Sequence, residues 1–229
     1  MCGRFFLVSQ AREVAALFGL EEVPPLAPRY NIAPTQNIAV VREVPENNGS
    51  RTLSFMRWGL VPPWTKDASQ LPLLINARSE TVHEKPAFKS AFKKRHCAIP
   101  ANGFFEWARR RKVKQPYVIQ FKQQRLFALA GLWETWRQAD GLVLESCAIL
   151  TTRANEIVSP LHDRMPVILD DDHIDLWLGP VPQDQEVWKG LFRPSPSADM
   201  VCFPVTQLVN NPKYDGPQCI EPVQLFHDV

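Results

Sequence analysis

Several features of membrane, exported and metal-binding proteins are missing from this 229-residue chain. No apolar run approaches the roughly 18 residues that a membrane-spanning helix needs. The early apolar stretch Phe5-Phe6-Leu7-Val8 is too short for a secretory signal. The five cysteines form no Cys-x-x-Cys pair, which argues against a zinc site or a disulfide framework. We therefore expect reduced thiols in a cytoplasmic protein, with no metal or organic cofactor.

The chain also lacks internal repeats, low-complexity segments and anything resembling a linker, so we expect one domain over residues 1–229. Its 21 prolines are scattered, which favours rigid loops between short strands. The pattern predicts an α+β fold with a mostly antiparallel, barrel-like sheet and a few peripheral helices. The predicted strands are a hairpin of 38–44 with 51–57, then 97–99, 104–107, 117–121, 126–133, 142–152 and 200–205. The predicted helices are 11–18, capped by Ser9 and ended by Gly19, and 87–95, 153–159, 171–178 and 183–191.

Charge is distributed unevenly along the chain. Residues 1–125 carry a net charge of +11 and residues 126–229 carry −9, which gives +2 overall. Such polarity is typical of a protein with a basic face for a polyanion, although it also fits two halves that neutralise each other in the fold. Within the basic half, Lys85, Lys89 and Lys93 repeat at helical spacing, and the run 109–114 is predicted to form a solvated hairpin tip.

Cys2 offers the most distinctive chemistry. Methionine aminopeptidases remove Met1 when residue 2 is small, and Cys2 would then carry a free α-amine beside its thiol. The two groups titrate at about 7.7–8.0 and 8.5, so about a tenth of the amine is nucleophilic at pH 7. An aldehyde condenses with such an aminothiol to an imine, which the thiol closes into a thiazolidine ring. Alternatively, Cys2 is only a small residue that follows the initiator methionine and has no chemical role.

Six motifs together resemble the SOS response-associated peptidase (SRAP) family, whose members are also called abasic-site processing proteins. The resemblance covers about residues 1 to 225, and the motifs follow the family's order. They are Met1-Cys2-Gly3-Arg4-Phe5, Arg29-Tyr30-Asn31-Ile32-Ala33-Pro34-Thr35, Trp58-Gly59-Leu60-Val61-Pro62, Ile75-Asn76-Ala77-Arg78-Ser79-Glu80, Pro100-Ala101-Asn102-Gly103-Phe104-Phe105-Glu106-Trp107 and His162-Asp163-Arg164-Met165-Pro166. The resemblance implies a single SRAP-like domain, a basic groove for single-stranded DNA and a crosslink between Cys2 and the aldehyde of an abasic site.

The resemblance implies four catalytic residues, Cys2, Asn76, Glu106 and His162. A histidine suits proton transfer near pH 7, although a structural histidine also fits His162. Glu106 lies among aromatic residues, where burial would raise its pKa, although a half-buried ion pair fits as well. Asn76 and Arg78 are spaced i, i+2 and would share one face of an extended segment. They could hold a sugar hydroxyl and a phosphate, or simply stabilise a loop.

The resemblance also implies a set of DNA-binding residues. Arg4, Arg78 and Arg164 are candidate phosphate contacts, and Pro34 matches a loop that lies beside the lesion in the family. Trp58, Trp64 and Trp107 are available to stack on bases, and we select Trp64. Some relatives have two adjacent tryptophans where this chain has Trp64-Thr65. Thr151 or Thr152 matches a further position near the site, and the sequence does not distinguish the two.

Four functions fit these residues. The first is covalent capture of abasic sites in single-stranded DNA by a monomer, in the DNA damage (SOS) response and, if the source is bacterial, near the nucleoid. The second is a cysteine peptidase or autopeptidase, a hydrolase with Cys2 as nucleophile. The third is a non-covalent DNA-binding module with an inert Cys2. The fourth is an abasic-site lyase, in which elimination outruns ring closure. We expect the first, with no membrane partner.

Overall fold

The computed structural model describes residues 2–44, 49–110, 113–138, 141–179 and 185–225. Its strands are β1 Phe5–Leu7, β2 Arg29–Ile32, β3 Asn37–Val44, β4 Ser50–Trp58, β5 Asn76–Arg78, β6 His96–Ala101, β7 Gly103–Arg110, β8 Val113–Phe121, β9 Phe127–Arg137, β10 Val143–Arg153, β11 Arg164–Pro166, β12 Ile168–Leu169 and β13 Met200–Pro204. Its α-helices are α1 Ala11–Phe18, α2 Pro86–Lys94, α3 Asp171–Leu178 and α4 Gln185–Leu191. The predicted α+β class is confirmed.

Five strands close into a small barrel. β4, β3, β6 and β9 pair antiparallel in that order, β9 pairs antiparallel with β10, and β10 returns to β4 in a parallel pairing. The barrel strands are rich in small and β-branched residues that pack inside a narrow barrel, and Val40, Ala98 and Ile149 are fully buried. The predicted barrel-like core and the hairpin of β3 and β4 are therefore confirmed.

A second sheet of five strands, in the order β13-β8-β7-β1-β2, lies at one end of the barrel strand β6. The chain passes from β6 into β7 through Asn102, whose side-chain oxygen accepts hydrogen bonds from the backbone N–H groups of Val8 and Ser9. Gly103 is required here because a Cβ would lie 2.4 Å from the ring of Phe6. This junction brings the start of the chain against β7.

Two local predictions were wrong. Ser9 does not cap α1: its hydroxyl accepts a hydrogen bond from the side-chain amide of Asn102, and the carboxylate of Glu13 accepts from the N–H of Gln10 instead. Residues 156–161 form turns rather than the predicted helix, because the side-chain oxygen of Asn155 accepts a hydrogen bond from the N–H of Val158 and a proline follows at 160. Gly19 does end α1, in the left-handed conformation with φ 64°.

Helices α2 and α3 pack against the barrel through apolar faces, and the predicted basic stripe lies on the solvent side of α2. Lys85, Lys89 and Lys93 are all exposed. The run 109–114 lies where β7 and β8 pair as a hairpin, and its residues 111 and 112 fall outside the described residues. Among the described residues, no helix has the length and apolar character needed to cross a membrane.

Candidate active site

Cys2 lies where the start of the chain runs beside β7. The backbone N–H of Phe105 donates to the carbonyl of Arg4 over 2.9 Å, and Phe5 pairs with Phe104. This register carries the two residues before Arg4 toward Glu106. In the chain that retains Met1, Cys2 is fully buried at the edge of the apolar core. The short strand β1 therefore fixes the backbone of Cys2 next to the acidic residue of β7.

Asn76 holds Cys2 from the other side. Its side-chain Nδ2 donates to the carbonyl oxygen of Cys2 over 2.8 Å. Asn76 begins β5, which pairs in parallel with the barrel strand β10. Ala77 is buried between the half-buried Asn76 and the exposed Arg78, so the predicted alternation of an extended segment is present. The buried Oδ1 of Asn76 accepts no hydrogen bond among the described residues, which leaves an acceptor facing the site.

Glu106 is a buried carboxyl group with a strongly altered acidity. Only 4% of the residue is exposed. Burial raises the pKa of Glu106 to about 7, and the negative charge of Asp163 adds to the shift. The charge of Glu106 in turn raises the pKa of the Cys2 thiol, whose own burial is the larger cause. Glu106 and Cys2 therefore lie within electrostatic reach of each other, and the thiol stays protonated at neutral pH.

His162 lies at the tip of the turn that joins β10 to β11. Its side chain is 32% exposed, and Nδ1 accepts a hydrogen bond from the N–H of Arg164 over 2.9 Å. The same Nδ1 lies 2.9 Å from Oδ1 of Asp163. Burial lowers the pKa of His162, so the ring is mostly neutral near pH 7. A cleft of about 720 Å³ opens beside it, lined also by Trp107, Tyr117 and Leu161.

The structure places Arg4 and Arg164 in hydrogen-bond networks of their own. The guanidinium of Arg4 donates to Asn31 Oδ1 and to the carbonyl of Val209, each over 2.6 Å, and lies 5.8 Å from the Trp107 ring. Burial lowers the pKa of Arg4.

The guanidinium of Arg164 forms a two-pronged ion pair with Glu80, at 2.6 and 2.7 Å, and also donates to the carbonyl of Thr151. Arg164 lies in β11 and is only 8% exposed, and Glu80 lies just after the end of β5. Their ion pair therefore connects β11 to the end of β5, and β10 lies between these two strands. Because His162 lies two residues before Arg164 and Asn76 begins β5, this ion pair fixes the position of His162 relative to Asn76. Arg4 and Arg164 are both less exposed to solvent than Arg78.

The remaining candidates divide between surface and core. Arg78 and Trp64 are exposed, with 61% of Trp64 accessible, and Pro34 is half-buried in the turn after β2. Trp58, in contrast, is fully buried, packs edge-on against Phe5 and donates from its indole to the carbonyl of Ile75. It cannot stack on a base.

Trp107 is half-buried and is fixed by a hydrogen bond to Asn210. Thr151 and Thr152 are both buried, and the hydroxyl of Thr151 donates to the carbonyl of Ala77. Thr151 therefore links β10 to β5 one residue from Arg78, whereas Thr152 pairs with Met165 of β11.

Three residues that position the site were quoted within motifs but given no role by the sequence. Asn31 is fully buried and its amide donates to three carbonyls, those of Val209, Asn211 and Tyr214. Glu80 binds Arg164, and Asp163 contacts His162. Their presence in the same motifs as predicted catalytic or DNA-binding residues was the available signal. Within the described ranges, no group of three or more His, Cys, Asp or Glu side chains is placed to hold a metal ion.

Comparison with known proteins gives matches over most of the chain. The family model described as SOS response associated peptidase (SRAP) matches residues 1–212. The chain is 42% identical over 225 residues to the abasic site processing protein YoqW of Bacillus subtilis, which covers 96% of this chain and 99% of the relative. It is 33% identical to the abasic site processing protein HMCES of Xenopus tropicalis, over 86% of this chain and 67% of the relative.

Solved structures show the same fold. A protein from Bacteroides thetaiotaomicron superposes with a TM-score of 0.84 at 23% identity, covering 97% of this chain and all of the other. A protein from Bordetella bronchiseptica gives a TM-score of 0.75 at 27% identity, covering 90% of this chain and all of the other. The match of the family model and the identity to full-length relatives show that this chain belongs to the SRAP family.

Proposed function

We propose that this protein is an abasic-site processing protein that captures the lesion covalently in single-stranded DNA through Cys2, after Met1 has been removed. The observation that carries the proposal is the position of Cys2, whose carbonyl accepts a hydrogen bond from Asn76 while its thiol lies within electrostatic reach of Glu106, a carboxyl group with a pKa of about 7. Relatives named abasic site processing proteins support the substrate class. If DNA is the substrate, the protein acts in the cellular compartment that contains the DNA.

Ring opening of the abasic sugar comes first. The closed hemiacetal becomes a hydroxyaldehyde when its ring oxygen gains a proton and its anomeric hydroxyl loses one, so no atom is gained overall. His162, half-exposed beside the cleft, is suited to give the proton to the ring oxygen. Glu106, whose buried carboxyl group has a pKa of about 7, is suited to accept the other.

Imine formation follows at the α-amine of Cys2. The amine adds to the aldehyde carbon, and the resulting carbinolamine loses water to give a C=N bond. Glu106 takes a proton from the attacking amine and returns one to the departing hydroxyl, a double use that requires a pKa near the working pH. Asn76 fixes the Cys2 backbone, which restricts the direction of the amine's attack.

Closure of the thiazolidine ring completes the capture. The Cys2 sulfur bonds to the imine carbon, and the thiol proton ends on the nitrogen, so the whole sequence releases one water. Because burial and Glu106 keep the thiol protonated, it does not compete with the amine for the aldehyde. The same raised pKa disfavours the thiolate that a cysteine peptidase uses as its nucleophile.

We further propose that the DNA strand follows the basic half of the chain, with Arg78 and Trp64 as its exposed contacts and Pro34 beside the lesion. Arg4 and Arg164 act mainly by fixing the site, since their guanidinium groups are engaged by Asn31 and Glu80.

Buried residues of the barrel and of the second sheet share one apolar core, which supports a single domain.

Single-stranded DNA with one abasic site tests the proposal directly. After mixing and denaturation with heat and detergent, we expect a shifted protein–DNA band. Cys2→Ala should abolish the stable band, and Cys2→Ser should leave at most a labile imine. Cys202→Ala, which removes the most accessible of the other thiols, is the matched control and should crosslink like the wild type.

Other outcomes would identify the alternatives. A broken strand without adduct would indicate a lyase. Cleavage of an unrelated peptide that Cys2→Ala abolishes would indicate a peptidase. Tight but fully reversible binding by all variants would indicate a non-covalent DNA-binding module. Any of the three, in place of the stable band, would overturn covalent capture.

A further inference from the structure

Two groups compete for one nitrogen of His162. The N–H of Arg164 donates to Nδ1 over 2.9 Å, and Oδ1 of Asp163 lies 2.9 Å from the same atom. An imidazole nitrogen has one in-plane position for either a lone pair or a proton. The bond from Arg164 needs a bare Nδ1, whereas a bond to the Asp163 carboxylate needs Nδ1–H. The two bonds therefore belong to different protonation states of the ring.

From this geometry we infer that Asp163 is a positioning residue that acts through His162, as the acceptor for its Nδ1–H and the counterion of its imidazolium. The inference rests on the proposed function, because it assigns Asp163 to the proton transfer that opens the sugar. With Nδ1–H directed at Asp163, the ring presents Nε2 to the substrate. When the ring is protonated, Nε2 gives its proton to the sugar's ring oxygen, and Nδ1–H stays bonded to the carboxylate. When the ring is neutral, Arg164 N–H can replace Asp163 as the partner of Nδ1.

The charges near the ring agree with this role. Asp163 raises the pKa of His162, and the guanidinium of Arg164 lowers it. Burial is the largest cause of the lowered pKa, and the positive α-amino group at the start of the chain lowers it more than either of these two side chains changes it. Arg164 is itself paired with Glu80, so its effect on the ring is partly neutralised. Asp163 also raises the pKa of Glu106 on β7, the site's other acid–base group. Removal of this carboxylate therefore lowers the pKa of both groups.

The position of Asp163 limits the size of the effect. Its side chain is 83% exposed, so water and salt screen its charge. Exposed pairs of this kind change an equilibrium by a factor of about two to five. We expect Asp163 to adjust the protonation and orientation of His162 by that amount rather than to be indispensable.

The experiment compares wild type, Asp163→Asn and Asp172→Asn. Asp172 is an exposed aspartate on α3 and is not among the charges that shift the pKa of His162, so the control removes the same charge from a different element. Long-range ¹H–¹⁵N NMR of the imidazole rings, assigned with His162→Gln, gives the pKa and the tautomer of His162. We expect Asp163→Asn to lower that pKa by about half a pH unit and to shift the neutral ring toward the Nε2–H tautomer. The Asp172→Asn curve should follow the wild type.

Crosslinking rates supply the second readout. Near pH 7 and at low salt, Asp163→Asn should crosslink about two- to five-fold more slowly than wild type, and the difference should shrink at high salt. Identical NMR titrations and tautomers in Asp163→Asn and wild type would overturn the inference. If the wild type formed no crosslink at all, the proposed function would fail while the NMR comparison would still decide the role of Asp163.

Discussion

The side-chain amide of Asn76 donates to the carbonyl oxygen of Cys2 over 2.8 Å, and this bond joins β5, which pairs with a barrel strand, to the second residue of the chain. The contact spans 74 positions in sequence. The bond fixes the backbone of Cys2 and therefore the orientation of its α-amine, which nucleophilic attack by that amine requires.

Loss of this bond should slow capture without unfolding the protein. Asn76→Ala removes one hydrogen bond worth about 1 kcal/mol, so the free energy of unfolding should fall by a similar amount. The crosslinking rate should fall further, by about ten- to a hundred-fold, because the amine loses its orientation. Single-turnover rates with saturating abasic DNA measure this. Asn37→Ala, at an exposed position on β3, is the control; equal rates in the two variants would contradict a role for Asn76.

Glu106 should give the crosslinking rate its pH dependence. Because the carboxylate is the base and its pKa is about 7, the wild-type rate should rise as the pH increases through 7. Glu106→Gln should be slower by about two orders of magnitude and should lose the rise centred near pH 7, keeping only the later rise as the Cys2 amine deprotonates at about 7.7–8.0. Rates measured from pH 5 to pH 9 test both points. An unchanged pH profile in the variant would show that another group is the base.

The same residue should lower stability at high pH. The folded-state pKa of about 7 lies above the ordinary value of 4.5, so the carboxyl group favours the folded state only while it is protonated. This contribution is complete below pH 4.5 and is lost as the pH rises to 7, with an upper limit of about 3 kcal/mol. Chemical denaturation at pH 5 and pH 8 should show a smaller decrease in Glu106→Gln. Equal decreases in the two proteins would be inconsistent with a buried, protonated carboxyl.

Asn31 should be more important for stability than any exposed asparagine. Its buried amide serves three carbonyls and its oxygen accepts from Arg4, so Asn31→Ala leaves several buried groups without partners. We expect a loss of about 2–4 kcal/mol in the free energy of unfolding. Urea denaturation measures it, with Asn37→Ala again as the exposed control. A loss below about 0.5 kcal/mol would mean that water satisfies these groups equally well.

DNA binding should depend steeply on salt, because phosphate contacts release counterions. Arg78→Ala, which removes an exposed guanidinium, should reduce the slope of log K against log salt by about 1. Fluorescence anisotropy with Cys2→Ala protein keeps the measurement free of crosslinking. A slope near zero in the parent protein would exclude binding through a basic groove.

Local sequence patterns predicted much of the fold and part of the site. The spacing of Asn76 and Arg78 would place both side chains on one face of an extended segment, and these residues do lie in the strand β5. The aromatic neighbours of Glu106 indicated its burial, which is confirmed. Such predictions succeed because strand periodicity and burial depend on neighbours along the chain.

Long-range contacts were not predictable in the same way. The ion pair of Glu80 with Arg164 spans 84 positions, and the bonds of Asn31 to the C-terminal segment span 178 to 183. No periodic pattern links residues so far apart. Trp58 and Trp64 were both candidates for base stacking, although Trp58 is in the core and Trp64 is on the surface. The helix predicted near 153–159 failed because one asparagine side chain stabilises a turn there.

Mass spectrometry of the purified adduct tests the central claim most directly. The account predicts a protein without Met1 joined to the abasic DNA with loss of one water, and a modification confined to Cys2. Borohydride should not increase its mass once the ring has closed, because a thiazolidine has no C=N bond to reduce. An adduct of the same mass on Cys2→Ala protein, on another residue of the wild type, or on protein that retains Met1 would contradict the account.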